Sequence, residues 1–533
     1  MRYCLLAPER SCVALCMIVL LAGFLGSRTP LLAQENRLLP TGDVAYDAIG
    51  YLQRRGHLLE LNPTSLPYRY GEVWDALGRI DTMALGPAGR HRLALLRQTV
   101  RPVDTKGDAI AVGYAFEAGA RVINSDRLDV LRPLGDEPHI YWYGVPVRVY
   151  ADAGSMVAAL GIRQDRYYDE DPDGLDTALR LMARSEDTYV GFHSPLISVY
   201  AGRWSQHWSV HREAGVLLSD NARSQDQVSL RFGGRRLSVQ STLSELDSIT
   251  DDGRFTGRVG DDTVRVGSRR RFLAAHRLDF RPSRSVVLSI MESVVYSGSN
   301  AGVSLKYLNP LHPALVVVDN SPKNDENNAT VAAVLWAQIR RLTVHGQLLV
   351  DDLNVQRGKG NETITYSFAG SLVYALSSVD LGITIEAVTA RAYNAPQPEG
   401  KYVYLRRGLG TQFSDYVHVA AFADLYLDHM IPGLLLRPRL DWLFQGERDI
   451  RDRFPENEEV LDNILDGVVA RTMRPAVQLV YQPSPRWWVR LNGGVNVTRN
   501  EGHVTGHETS RFVGLVEVGL RLRLDRAFRL SFR

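Results

Sequence analysis

Cysteine is almost absent from this 533-residue chain, and its three cysteines all lie within the first 16 residues. The rest of the chain therefore has neither disulfide bridges nor thiolate metal sites. Long apolar runs are scarce too, since beyond the first 33 residues no stretch is long enough for a membrane-spanning helix, which needs about 20 apolar residues. Any crossing of a membrane by this part of the chain must therefore be made by strands.

An excess of charge of either sign is also lacking. The chain holds 62 Lys and Arg against 60 Asp and Glu, and such a balance argues against a nucleic-acid partner. The G-x-S-x-G, phosphate-loop and dinucleotide-binding motifs are missing as well. No catalytic residues can be named, so we do not predict an enzyme.

The N-terminus has the pattern of a secretory leader. Arg2 and Arg10 precede the apolar stretch 13–25, and the small residue Ala33 ends a suitable cleavage site. The apolar stretch is shorter than the roughly 20 residues that a membrane anchor needs. We therefore predict a signal peptide over 1–33.

Residues 34–106 show helical periods rather than strand alternation. Asp43 can cap a first helix that ends near Gly56, and apolar residues recur at helical spacing over 73–80 and 90–100. Three short amphipathic helices of this kind could pack together or sit under the mouth of a barrel. We predict a periplasmic helical region here.

From residue 107 to 533 the chain repeats runs that alternate apolar with polar residues. In the last run one face is apolar, with Leu520, Leu522, Leu524, Phe528, Leu530 and Phe532, and the other is mostly basic, with Arg521, Arg523, Arg529 and Ser531. A soluble sandwich does not line its core with arginine, whereas a transmembrane barrel meets lipid outside and water inside. The predicted fold class is all-β, a transmembrane antiparallel β-barrel. The terminal ladder resembles the strand that the barrel-assembly machinery reads, although Arg533 follows it.

The strand count follows from short turns that alternate with long polar loops, because bacterial barrels place short turns in the periplasm and long loops outside. Short turns are predicted at 233–234, 282–283, 340–341, 377–378, 430–432 and 483–485, and upstream strands at 109–122, 138–151, 155–162, 188–202 and 215–219. The total is about 18 strands, with about 16 as the alternative because two upstream strands are weak. This parity places residues 203–213 on the periplasmic side.

Two residue groups could bind metals. Asp169, Asp171 and Asp173 match the opening of a calcium loop, but Arg180 stands where an EF-hand needs Glu. A structural calcium site and a solvated acidic loop therefore both stay open. His207 and His211 are four residues apart, and on a helix two histidines at this spacing could bind one zinc ion. The Glu of an HExxH motif is missing, so zinc is not predicted. Apart from the calcium alternative, we predict no cofactor.

Aromatic residues beside polar ones are suited to sugars. Trp204 and Trp208 can stack on pyranose rings, while Arg203, His207 and Asn221 can hydrogen-bond hydroxyl groups, so these five residues form the candidate glycan site. A second aromatic cluster lies near a strand end, where an aromatic girdle at the membrane interface explains it better; it consists of Tyr141, Trp142 and Tyr143.

The same stretch carries a family resemblance. The stretch 202–222 resembles the GR…WG…LLLSNNA stretch of the Wzi family of capsule-assembly outer-membrane proteins. The similar positions are 202–203 (GR), Trp208 and 215–222 (GVLLSDNA). The run 307–311 (YLNPL) resembles that family's YxNP segment. The order of signal peptide, helical region and barrel also matches. The chain departs from the family at 209–212 (SVHR), where glycines and proline are usual.

The resemblance implies a non-enzymatic outer-membrane barrel that binds or organises surface polysaccharide, either capsular or exopolysaccharide. Such a barrel also has outer-membrane lipid and the assembly machinery as partners. The alternative is a substrate-selective porin or a polysaccharide export channel that uses the charged lumen for conduction. An outer-membrane hydrolase is a third class, for which no catalytic set can be assembled.

Overall fold

The computed structural model describes residues 35–103, 109–123, 139–165, 183–249, 257–259, 262–264, 270–298, 301–313, 326–351, 365–455 and 463–529. The predicted signal peptide, the acidic run 169–173 with its calcium alternative, and the terminal residues 530–533 lie outside these ranges.

Within the described residues, 18 antiparallel strands form a closed barrel. In chain order they are β1 (Ala109–Ile123), β2 (His139–Ala153), β3 (Met156–Asp165), β4 (Ala183–Ser185 and Thr188–His193), β5 (Ile197–Trp204), β6 (Gln225–Gly233), β7 (Leu237–Leu246), β8 (Arg270–Ser283), β9 (Val286–Gly298), β10 (Glu326–Ile339), β11 (Leu342–Asp351), β12 (Thr365–Ala375), β13 (Val379–Val388), β14 (Tyr416–Tyr426), β15 (Leu434–Gln445), β16 (Ala470–Ser484), β17 (Trp487–Arg499) and β18 (Glu508–Arg529). Each strand pairs with its neighbours in sequence, and β1 closes the barrel against β18, with Ala109 opposite Arg529. The predicted barrel and its 18 strands are confirmed.

One predicted strand is in fact a hairpin. The run 188–202 is divided between β4 and β5 by a tight turn, in which Ser194 N donates a hydrogen bond to Ile197 O at 2.7 Å. Pro195 lies in this turn, and proline favours such a break because it has no N–H to give to a strand ladder. The chain therefore reverses direction within the run 188–202, which contributes two strands to the wall where one was predicted.

Another predicted strand is a buried loop. The run 215–219 is apolar because Val216 and Leu217 are buried inside the barrel, not because it pairs in the wall. It belongs to the loop 205–224, which connects β5 to β6 at the long-loop end of the barrel and folds into the lumen. Long loops of such barrels are extracellular, so the predicted periplasmic position of 203–213 is wrong. The two differences cancel in the strand count.

The barrel wall is apolar outside and polar inside. On β8, Leu278 and Phe280 point outward and are 40% and 49% exposed. The alternate residues Arg277 and Asp279 are buried in the lumen, where Arg277 Nε lies 2.7 Å from Asp279 Oδ1. On β18 the outward Leu524 is likewise exposed. The alternation predicted from the sequence is therefore the lipid-facing pattern of a transmembrane barrel.

Three helices fill the lumen at the short-turn end; they are α1 (Ala45–Gln53), α2 (Tyr70–Leu77) and α3 (Pro87–Thr99). Two ion pairs with buried carboxylates tie them to the wall. Arg54 Nε lies 2.8 Å from Asp380 Oδ2 on β13, and Arg92 Nη1 lies 2.7 Å from Asp428 Oδ2 in the turn after β14. Desolvated pairs of this kind fix position strongly, because separating them leaves a buried charge.

The starts of the helices follow their local sequence. Asp43 Oδ1 accepts a hydrogen bond from Ala45 N at 2.8 Å, as the predicted cap requires. The third helix begins at Pro87, earlier than the predicted residue 90, because proline has the backbone angle of a first helical turn. Among the described residues, no helix has the length and apolarity needed to cross a membrane.

Long loops close the opposite end of the lumen. The loop 205–224 packs against the loop 389–415, and Tyr402 OH donates a hydrogen bond to Leu217 O at 2.9 Å. Arg271 on β8 is fully buried and holds the second loop, since its Nε donates to Glu399 O at 2.8 Å. Helices thus enter the described lumen from one end and loops enter it from the other.

Candidate functional site

A cavity of about 480 Å³ remains between the inward loops and one side of the wall. Its walls come from β13 to β18 and from β1, and its roof comes from the loops 205–224 and 389–415. This volume lies within the roughly 300–1,000 Å³ that is usual for ligand pockets. The cavity is the candidate functional site.

One side of the cavity carries a belt of paired charges. Arg121, Glu517 and Arg490 lie opposite one another on β1, β18 and β17. Arg121 Nε lies 2.6 Å from Glu517 Oε2, and Arg490 Nη1 lies 3.2 Å from Glu517 Oε1. Trp488 Nε1 also donates to this carboxylate, at 3.1 Å. Two arginines therefore surround one carboxylate on this side of the cavity, and both belong to its lining.

A second row runs across β15, β16 and β17. Arg437 lies opposite Gln478, which lies opposite Asn492, so three polar side chains face the cavity at one level. Arg439 lies two residues after Arg437 on β15. Its side chain is 38% exposed, and its Nε lies 2.8 Å from Asp441 Oδ1. Arginine, amide and carboxylate side chains supply the donors and acceptors that a polyhydroxylated ligand requires.

The loop 205–224 forms part of the roof of the cavity and is fixed to the wall by hydrogen bonds. Glu213 anchors it, because its Oε2 lies 2.8 Å from His345 Nδ1 and its Oε1 accepts from Ser371 Oγ at 2.8 Å. Asn221 Nδ2 donates to Gly408 O and to Gln412 Oε1, at 2.8 Å each. The two loops therefore form one connected roof over the charged wall.

His211 joins the roof to the helical region. Its ring lies 5.3 Å from that of Tyr46, and its Nε2 lies 3.7 Å from Asp47 Oδ1 at the start of α1. Burial lowers the pKa of His211 to about 4, against the opposing effect of the Asp47 carboxylate. The contact is therefore made by a neutral imidazole at ordinary pH.

The five residues of the candidate glycan site do not form one site. Trp208 is fully buried, and its Nε1 donates to Gln206 Oε1 at 3.2 Å. Trp204 is buried beside Tyr189 and Tyr200, with ring centroids 5.9 and 6.2 Å away. In the described arrangement neither indole has a face open to the cavity.

The other three candidates are divided between two places. Arg203 forms an ion pair with Asp226 across β5 and β6, away from the cavity. His207 and Asn221 do line the cavity. His207 Nδ1 lies 3.1 Å from Asp220 Oδ1, so its ring is oriented by a carboxylate of the same loop.

The cavity also contains residues that sequence reasoning did not select. Arg474, Arg490 and Glu517 are polar residues on the inward face of their strands, and alternation predicts that they face the lumen. Alternation cannot tell which part of the lumen stays empty, because that depends on how the loops fold inward.

Metal binding finds no support in the described part of the chain. No group of three or more His, Cys, Asp or Glu residues there could hold a metal ion. His207 and His211 lie in a loop and contact different carboxylates, Asp220 and Asp47. The second aromatic cluster, 141–143, belongs to β2, close to its long-loop end, as predicted for its backbone position.

A structural comparison places this fold among known proteins. Wzi, an outer-membrane protein involved in group 1 capsule assembly in Escherichia coli and described as a carbohydrate-binding β-barrel, matches with a TM-score of 0.59. The match covers 91% of this chain and 99% of that chain, at 12% sequence identity. The protein has a Wzi-like outer-membrane β-barrel fold. At this identity the similarity shows the fold and not family membership.

Outer-membrane proteins of another group match less well. OpdK from Pseudomonas aeruginosa has a TM-score of 0.41 at 10% identity, covering 78% of this chain and 99% of that chain. OccAB4 from Acinetobacter baumannii has a TM-score of 0.43 at 8% identity, covering 78% and 98%. No protein-family model and no curated protein matches the chain.

Proposed function

We propose that this outer-membrane barrel binds surface polysaccharide in its lumenal cavity and holds it at the cell surface without chemical change. The observation that carries the proposal is a lumen occupied by helices at one end and by loops at the other, with a charged cavity of about 480 Å³ between the loops and the wall. A binding barrel needs a pocket, whereas a conducting barrel needs a continuous path.

The chemistry of the cavity supports a carbohydrate ligand. Arg439, Gln478 and Asn492 offer guanidinium and amide groups beside the carboxylate of Asp441. Sugar hydroxyls donate and accept, so they pair with both kinds of group. The Wzi-like fold adds support, because the Escherichia coli protein of that fold is described as carbohydrate-binding.

The first experiment compares the cell-bound and released polysaccharide of a strain that lacks this gene with those of its parent. We expect polysaccharide to move from the bound to the released fraction while the total stays constant. Loss of the total would indicate export instead. No change in either fraction would contradict the proposal.

The alternative function is a substrate-selective porin or export channel, and the charged wall of the cavity is the observation that favours it. Recordings in planar bilayers separate the two. We expect the purified barrel to show little conductance, whereas a porin shows stable open-channel steps. Complementation of the deletion strain with Arg439→Gln then tests whether the cavity itself holds the polysaccharide.

A further inference from the structure

One long-loop segment, residues 301–313, lies against the outer wall of the barrel rather than over its lumen. It contains a short helix, α4 (Leu305–Leu308). The Tyr307 ring stacks on Tyr296 with centroids 4.6 Å apart, and Tyr296 stacks on Phe272 at 5.4 Å. Phe272 shares its face of β8 with the exposed Phe280. The face covered by this segment, which we call the outer-wall segment, is therefore the lipid-facing one.

Polar side chains on that face explain why the segment binds there. Ser241, His276 and Glu292 lie opposite one another on β7, β8 and β9, and alternation points all three outward. His276 Nε2 lies 2.7 Å from Tyr307 O, and its Nδ1 lies 2.8 Å from Glu292 Oε1. Polar groups in hydrocarbon are costly unless they are hydrogen-bonded. The outer-wall segment supplies one of these partners, the Tyr307 carbonyl, and Glu292 of the wall supplies the other.

Two contacts therefore hold the segment in place. Ser241 Oγ donates to Leu308 O at 2.7 Å, which adds a second hydrogen bond one residue beyond the His276 contact. Closer to the long-loop end of these strands, an apolar cluster that includes Leu243, Ala274 and Val294 is buried under the same segment. The outer-wall segment is thus docked by both hydrogen bonds and apolar packing.

The docked segment reaches well down the wall. His276 is six residues from the long-loop end of β8 at Arg270, a distance of about 20 Å along a strand. At a strand tilt of roughly 40° this is about 15 Å along the barrel axis. The segment thus reaches down the wall to the level directly above the exposed Leu278 and Ile290, where the lipid-facing belt begins.

The far side of the segment exposes three large apolar side chains and a lysine. Val303, Leu305 and Leu311 are 55%, 64% and 80% exposed. Lys306 is also exposed, with its Nζ 4.9 Å from the centroid of the Tyr307 ring. Large exposed apolar side chains on the outside of a barrel continue its lipid-facing belt.

We propose that the outer-wall segment binds the anionic glycolipid of the outer leaflet, lipopolysaccharide. Val303, Leu305 and Leu311 contact its acyl chains, and Lys306 pairs with its phosphate groups. Continuity with the exposed belt of Leu278 favours lipid over a second copy of the barrel. This inference requires only an outer-membrane barrel, so it stands apart from the proposed glycan site.

The first test measures the surroundings of single labels. Because residues 17–533 contain no cysteine, Leu305→Cys or Val303→Cys can each carry one environment-sensitive NBD fluorophore. Both changes leave the contacts of Tyr307 in place. Val504→Cys is the matched control, since Val504 is 58% exposed in the loop between β17 and β18. The proteins are placed in phosphatidylcholine vesicles with acyl-chain nitroxide lipid.

We expect the labels at 303 and 305 to emit at shorter wavelength and to be quenched at least three-fold more than the label at 504. Water-like emission without quenching at both positions would overturn the proposal. Shielding that disappears when the protein is diluted in the bilayer would indicate a second copy and would overturn it too.

The second test measures lipopolysaccharide that stays with the purified barrel. Lys306→Glu should reduce it at least three-fold, whereas Arg340→Glu, the same charge change at an exposed short turn between β10 and β11, should not. Equal retention in both variants, with heat-modifiable migration of a folded barrel, would contradict the phosphate contact.

Discussion

Leu66 and His207 exchange both of their backbone hydrogen bonds, with Leu66 N donating to His207 O at 2.9 Å and His207 N donating to Leu66 O at 3.1 Å. Leu66 belongs to the helical region that enters from the short-turn end. His207 belongs to the loop 205–224, which enters from the other end. The helical region and the loop 205–224 therefore meet inside the barrel and pair through their backbones.

A disulfide should form across this pair. In an antiparallel pair that exchanges both hydrogen bonds, the Cα atoms are about 5.5 Å apart, which suits a disulfide. We expect Leu66→Cys with His207→Cys to oxidise in membranes and to yield a cross-linked peptide after proteolysis. Each single variant serves as control. Reduced thiols in the double variant that still react with a maleimide would contradict this contact.

The helical region should loosen when its anchor on β13 is removed. Asp380 is fully buried and faces both Arg54 and Arg55 at 2.8 Å. Asp380→Ala leaves two desolvated guanidinium groups, a loss of about 3–5 kcal/mol. We expect a lower Tm and new conductance steps in planar bilayers. Glu508→Ala, which removes an exposed partner of Arg499, should change neither, and equal behaviour of the two variants would argue against the anchor.

Acid should weaken the contact between the roof and α1. The folded pKa of His211 is lowered to about 4, below its ordinary value of about 6.5. The folded state then binds fewer protons, so stability is full above about pH 6.5 and falls as the pH drops towards 4. We expect conductance events to become more frequent between pH 6.5 and 4 in wild type, and His211→Gln to remove this dependence. A flat profile for wild type would exclude His211 as the cause.

Trp208 should matter for folding before it matters for any ligand. It is fully buried among Val216, Leu218 and other residues of the lumenal core, and Trp→Ala in a core costs about 3–5 kcal/mol. We expect Trp208→Ala to lower the Tm, while Trp208→Phe restores most of it. Arg203→Ala, which breaks a partly exposed pair with Asp226, should cost about 1 kcal/mol or less. A stable Trp208→Ala protein would contradict this assignment.

Local patterns predicted the wall because each strand reports its own environment. The alternation of Leu278 and Phe280 with Arg277 and Asp279 needs no knowledge of distant residues. The cap at Asp43 is likewise local. These are the features that the structure confirms.

Long-range packing explains what the sequence could not predict. Trp204 and Trp208 look like sugar-stacking residues, but both are buried. The inward fold of the loop 205–224 buries Trp208, whereas Tyr189, Tyr200 and Leu38 pack around Trp204. His276 is an isolated polar residue in an outward apolar series, and its partner Tyr307 is 31 residues away. Only the tertiary contact tells whether such a residue binds a ligand, a loop or lipid.

The most direct test of the proposed function is the equilibrium binding of the purified barrel to the surface polysaccharide of its own cells. Arg439→Gln should weaken this binding about ten-fold, which corresponds to about 1.4 kcal/mol, with an unchanged Tm. Arg511→Gln is the matched control, since Arg511 pairs with Glu501 away from the cavity. Wild-type protein that does not bind, or two variants that bind equally, would contradict a glycan site in the lumen.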